Sequence, residues 1–191
     1  MNMVVCKGRA LALVFLVMAI AGTGHPVAAD QRHGELKKLF VQLQAAPEYS
    51  LAKIVEARIW QLWVHHDNPD VDQRMAVGMA AMTPGNLDRS LAAFDKVIEL
   101  APDFAEGWNK RATVHFMMGS YDASVNDIRR TLDLEPRHFG ALSGLGLIFD
   151  AIGNTAAAVK VWEKALRVHP HMEGIRQRMN ELKRELTGAP T

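Results

Sequence analysis

A spacing of 34 residues runs through four separate series in this chain. Pro102, Pro136 and Pro170 keep it, as do Gly85, Gly119 and Gly153. Leu100, Leu134 and Val168 repeat it, and so do the small residues Gly78, Ala112 and Gly146. A shared period of this length marks a stacked-repeat architecture. Each unit is too small to bury its own apolar face and must pack on its neighbours. The period divides residues 71–172 into units 71–104, 105–138 and 139–172.

Each unit predicts two helices. In the middle unit the first runs from Ala105 to Met118 and ends at Gly119, a residue that takes the left-handed helix-ending conformation without steric cost. The second runs from about Tyr121 to Leu134, and Pro136 stops its continuation. The apolar positions keep a helical period. In the third unit Leu142, Leu145, Gly146 and Phe149 share one face, and Ala158, Trp162, Ala165 and Leu166 share another. The small residues at 78, 112 and 146 supply the place where two antiparallel helices approach closely.

These positions resemble the tetratricopeptide repeat family, whose unit reads Trp-x2-Leu-Gly-x2-Tyr, then Ala-x3-Phe, then Pro. The middle unit offers Trp108, Arg111, Ala112, His115, Ser124, Ile128 and Pro136. The last offers Leu142, Leu145, Gly146, Phe149, Ala158, Trp162 and Pro170. The first offers Val77, Gly78, Ala81, Ser90, Phe94 and Pro102, with Arg74 where the aromatic would stand. Ala81 and His115 replace the tyrosine, and serine replaces alanine at 90 and 124. The resemblance implies an all-α fold, a right-handed α-solenoid of antiparallel helix pairs. It also implies a non-enzymatic chain that binds a protein or peptide partner on the concave side.

Arg111 stands at a usually apolar position. A buried arginine needs a partner, and Asp127 on the second helix of the same unit can face it. A structural Arg111–Asp127 ion pair is expected.

The flanks fall outside the register. Residues 30–70 predict a divergent helical pair, 34–46 and 48–66. Leu36, Leu39, Phe40 and Leu43 stripe the first helix; Ile54, Ile59, Trp60 and Trp63 are apolar on the second. The pair reads as a degenerate fourth unit, with self-association through exposed Trp60 and Trp63 as one consequence. Residues 173–191 predict a capping helix and a loose tail from Thr187. Ile175, Met179, Leu182 and Leu186 form its apolar face, opposite Arg176, Arg178, Lys183, Arg184 and Glu185, as the open end of a solenoid requires.

Residues 1–29 have the layout of a cleaved signal peptide. Lys7 and Arg9 precede an uncharged run from Ala10 to Ala21; Gly22, Gly24 and Pro26 follow, and Val27-Ala28-Ala29 precedes Asp30. The run is too short to span a bilayer, and cleavage is expected after Ala29. The cut removes Cys6, His25 and two basic residues, so the mature chain carries no cysteine and no net positive charge. That balance argues against a nucleic-acid partner, and no later segment is apolar enough to span a membrane. Together with the family resemblance, the signal implies a periplasmic bacterial scaffold supporting cell-envelope integrity or assembly. The alternative is a maturation factor that holds an unfolded or apo client, as in cytochrome assembly.

In such a solenoid the first helix of each pair lines the concave groove. Positions turned away from the pairing helix are Met75, Met79 and Met82 in the first unit, Asn109, Thr113 and Phe116 in the second, and Ser143, Leu147 and Asp150 in the third. Methionine is soft and suits varied apolar segments. Only Asn109 with Lys110 approaches the lysine–asparagine clamp by which some relatives grip a C-terminal carboxylate, so that mode is not expected. His65-His66 and His169-Pro170-His171 lie at opposite ends of the array, whereas zinc needs three or four converging ligands. No nucleophile elbow, phosphate loop or dinucleotide fingerprint is present. The reading is of a chain with no catalytic residues, no metal and no cofactor.

Overall fold

The computed structural model describes residues 34–187. The expected signal peptide, its cleavage point and the residues after Thr187 lie outside the described part. Among the described residues the chain forms nine α-helices: α1 (Gly34–Ala45), α2 (Tyr49–Val64), α3 (Pro69–Ala80), α4 (Leu87–Leu100), α5 (Ala105–Met117), α6 (Tyr121–Leu134), α7 (Phe139–Ala151), α8 (Thr155–Val168) and α9 (Glu173–Thr187). None of them is long and apolar enough to cross a membrane. The last helix includes Thr187, whose Oγ1 donates to the Lys183 carbonyl, so the loose tail does not begin there.

Helices α3–α4, α5–α6 and α7–α8 form three antiparallel pairs, stacked in chain order and closed by α9 on α8. This is the α-solenoid that the period predicts. Gly119 and Gly153 directly follow the C-caps of α5 and α7 at φ of 73° and 74°, a region closed to most side chains, whereas α3 ends at Ala80 and Gly85, at φ of 84°, sits in the longer turn before α4. Proline at the first turn and Asn68 as N-cap, accepting from the Asp70 amide, start α3 two residues before the first unit was expected to begin.

The close approaches fall at the small residues. The Phe94 ring lies where a Cβ on Gly78 would stand, and the Trp162 ring occupies that place at Gly146. The serines at 90 and 124 have a role that alanine lacks. Ser90 Oγ donates to the Gly78 carbonyl and Ser124 Oγ to that of Ala112, both at 2.8 Å, tying the two helices of a unit together where they cross.

The N-terminal pair departs from expectation. It does not extend the stack as a fourth unit before α3. The α1–α2 hairpin folds back, so that α2 contacts α5 and α1 contacts α8. Its core of Leu36, Leu39, Phe40, Leu43, Ala52, Ile59 and Trp63 includes Phe139 of α7, with Val168 and Met172 packed at its edge. Trp63 is fully buried and Trp60 half-buried. Trp63 is therefore not available for the self-association expected of two exposed tryptophans.

Candidate functional site

The inner face of the solenoid is built by α3, α5 and α7, and α2 lies across the N-terminal halves of α5 and α7. Gly140 makes this approach possible: a Cβ there would lie 2.6 Å from Cη2 of Trp60. Lys110 stands over the Trp60 ring at 5.3 Å. The Trp63 ring stacks on His138, with centroids 4.1 Å apart and planes 9° from parallel.

Beneath Trp63 sits a polar cluster shut away from water. His138 Nδ1 accepts the Ala141 amide at the start of α7, so the ring proton sits on Nε2, which donates to Glu106 Oε2 at 2.8 Å. Asn109 Nδ2 donates to the same oxygen at 3.0 Å, and Lys110 Nζ lies 3.0 Å from Oε1. Burial pushes the Glu106 carboxyl up, but the His138 hydrogen bond and the Lys110 charge outweigh it. The net effect holds Glu106 below the ordinary carboxylate value.

A second set of polar contacts runs along the outer edge of the hairpin. His169 Nε2 meets Glu56 Oε2 at 3.3 Å, and Lys53 Nζ meets the same oxygen at 2.7 Å. Burial lowers the His169 pKa against the pull of Glu56. Gln44 Nε2 donates to the Arg167 carbonyl at 3.1 Å, and His171 Nε2 to that of Ala46 at 3.1 Å. At the joint between α2 and α3, Asp72 takes the His65 ring and the His66 amide, each at 2.6 Å. Every described histidine except His115 therefore lies at the seam between hairpin and solenoid. Among the described residues no three His, Cys, Asp or Glu side chains gather as metal ligands do.

Between α2 and α3 the inner face stays open. A cleft of about 780 Å³ runs there, lined by Ala57, Trp60, Gln61, Val64 and His65 on one side and by Asp72, Met75, Ala76 and Met79 on the other.

The structure redistributes the expected groove residues. Met75 is only 1% exposed; it packs with Val71 and Phe94 and floors the cleft instead of projecting from it. Met79, 39% exposed, forms the rim. Met82 is half-buried against the same cluster as Met75. Asn109 is 7% exposed, and its amide is committed to Glu106. Thr113 Oγ1 donates to the Asn109 carbonyl of its own helix. Phe116 lies 5.6 Å from the Tyr121 ring and packs on the cluster shared by the second and third units. Ser143 lends its carbonyl to Trp162 Nε1. Asp150 is a bidentate partner of Arg178, at 2.8 and 2.9 Å, and fastens α9 to α7. Leu147 remains 40% exposed. The strip inferred from helical direction is thus not one continuous open groove.

Arg111 donates to both Asp127 oxygens at 2.7 Å. Its third contact, to Asp95 at 2.8 Å, reaches into the preceding unit. The Trp108 ring lies 4.9 Å from the guanidinium. The Asp127 hydrogen bonds raise the Arg111 pKa above its ordinary range.

Comparison with known proteins agrees with this architecture. The tetratricopeptide repeat family matches residues 75–125 and 110–173. A tetratricopeptide repeat-containing protein of Rhizobium etli is 35% identical, over 86% of this chain and 80% of that protein. The Hsp70-Hsp90 organizing protein of Triticum aestivum is 26% identical over 62% of this chain, which spans only 20% of that longer protein. Among solved structures, MamA superposes with a TM-score of 0.58 at 19% identity, covering 78% of this chain and 85% of that one. The TPR2B domain of yeast Sti1 in its Hsp70 peptide complex gives 0.55 at 15% identity, covering 64% and 100%. Repeat register, helix pairing and these likenesses coincide, and the chain belongs to the tetratricopeptide repeat family.

Proposed function

We propose that this chain is a non-enzymatic protein–protein interaction scaffold, exported by its N-terminal segment and working in the bacterial periplasm in support of the cell envelope. Proteins of this family generally mediate protein–protein interactions. The observation that carries the reading is the open cleft between α2 and α3, about 780 Å³ and walled by Trp60, Val64, Met75 and Met79. Its volume and its apolar lining beside three polar groups, Gln61, His65 and Asp72, suit apolar anchors of a partner segment.

The test is photocrosslinking in cells from position 79, with position 164 on the exposed side of α8 as control. Partners captured at 79 and absent at 164 support the reading; the same capture at both refutes it. Mass spectrometry of the same purified chain tests export, with Asp30 as the expected N-terminus. The likeness to an Hsp70-Hsp90 organizing protein favours a second reading, a maturation factor holding a client. Preference for an unfolded over a folded form of the captured partner selects it.

A further inference from the structure

The hairpin shows what kind of segment fits the covered part of the inner face. We infer that α1–α2 is an internal ligand of the solenoid, and that the outside partner of α5 and α7 is an amphipathic helix that displaces α2. Such a helix carries two aromatic side chains one turn apart, as Trp60 and Trp63 are, with a carboxylate one turn before them, as Glu56 is. The inference rests on the reading that the inner face takes a protein segment.

Four observations carry it. The repeats and their cap hold three clusters of their own: those around Phe94, Ile128 and Trp162 contain no residue of the hairpin. The seam has the make-up of an interface between proteins, with aromatic anchors in a pocket and polar pairs around them. Trp60 sits on Gly140 and Trp63 on His138, while Glu56–His169 and Gln44–Arg167 form the rim. The cleft separates much of α2 from α3, its neighbour in the chain, so the short link through His65 and His66 bears most of the connection. The fully buried Trp63 indole N–H finds no acceptor among the described residues, which weakens the docked state.

Gly140 adds the strongest sign. It stands 34 residues after Glu106 and 68 after Asp72, in the first turn of α7 beside the His138 cap. Its use here is to admit an indole ring against the α7 backbone.

The experiment uses the full chain and a fluorescein-labelled synthetic peptide of residues 49–64. In the wild type the tethered hairpin competes at high effective concentration, so the peptide binds weakly. In the double variant Trp60→Ala, Trp63→Ala the chain's own helix loses its anchors while the inner face is unchanged. The peptide should then bind at least about tenfold more tightly, the scale set by one hot-spot contact. Adding Gly140→Leu should abolish that gain, because the peptide's own tryptophan needs the same space. No gain in the double variant, or a gain that survives Gly140→Leu, overturns the inference.

Hydrogen exchange on the wild type covers the case in which the double variant does not fold. Amides of α1 and α2 should exchange through a smaller opening than those of α5–α8. Equal protection marks the hairpin as an integral part of the core and overturns the inference. Crosslinks from position 79 arise in the open cleft and need no displacement of α2. A hairpin that never opens therefore leaves the scaffold reading standing, and a chain that opens but captures nothing at position 79 refutes only that reading.

Discussion

Two glycines in α7, separated by one residue, should respond to alanine with opposite sign. A Cβ on Gly144 would meet Ile128 Cδ1 at 3.8 Å, an ordinary van der Waals contact. Gly144→Ala then keeps the helix-propensity gain of about 1 kcal/mol, raising Tm by about 2–4 °C. A Cβ on Gly146 would fall 2.1 Å from Trp162 Nε1 and 2.4 Å from Cδ1. Trp162 is fully buried, and its indole N–H donates to the Ser143 carbonyl at 3.1 Å. Moving the ring costs about 1–3 kcal/mol in overpacking. Breaking the hydrogen bond of a buried N–H costs about 1–3 kcal/mol more. Set against the same propensity gain, the net loss is about 1–5 kcal/mol, centred near 3, or a fall in Tm of roughly 6–12 °C. Thermal unfolding of the two single variants by circular dichroism, with denaturant titration as a check, measures both. Shifts of the same sign, or a Gly146→Ala chain as stable as the wild type, would refute the reasoning.

Arg111→Ala strips the nearly buried Asp127 of its bidentate partner and should cost about 3 kcal/mol by chemical denaturation; Arg111→Lys should recover little, because an ammonium lacks the planar fork, and full recovery by lysine would refute a bidentate requirement. The seam should loosen in acid. Burial holds the His169 pKa below 6.5, facing Glu56, Lys53 and His171, so its contribution is complete above 6.5 and is lost as pH falls through the depressed value. Glu56 and Glu106, both held below the ordinary 4.5, add their losses at lower pH in the same direction. A Tm profile that is flat between pH 7 and 5, or unchanged by His169→Gln, would contradict this.

What the sequence reveals and what it hides follow from the range of the interactions. The glycine turns between paired helices, the proline stops and the small crossing residues act within one unit. Their 34-residue spacing therefore carries the solenoid directly. Asp127 lies within one helix pair of Arg111, so that ion pair is legible too; Asp95 lies one unit back and was missed. The seat of the hairpin is not local. Its stripe of Leu36, Leu39, Phe40 and Leu43 shows that α1 buries a face, but not against what. Trp60 and Trp63 read as exposed because α2 follows no register that names a neighbour. Helical direction reads Asn109 as open, but it is buried with its amide on Glu106, whose same oxygen takes His138 at the start of α7. Gly140 carried a usable signal: a glycine where the sister units have Asp72 and Glu106 points to something pressed against the helix.

The return of the hairpin also changes how such an array unfolds. Solenoids are nearly one-dimensional: each unit senses only its neighbours, and the ends fray independently. Here Gln44 is tied to Arg167 across 123 residues, and His171 to Ala46 across 125. These bonds join the two ends of the described fold into a ring of contacts. Loss of α9 or of the turn before it should loosen α1 at the opposite end of the sequence. Closing the ring also demands contacts of long sequence separation, which form slowly.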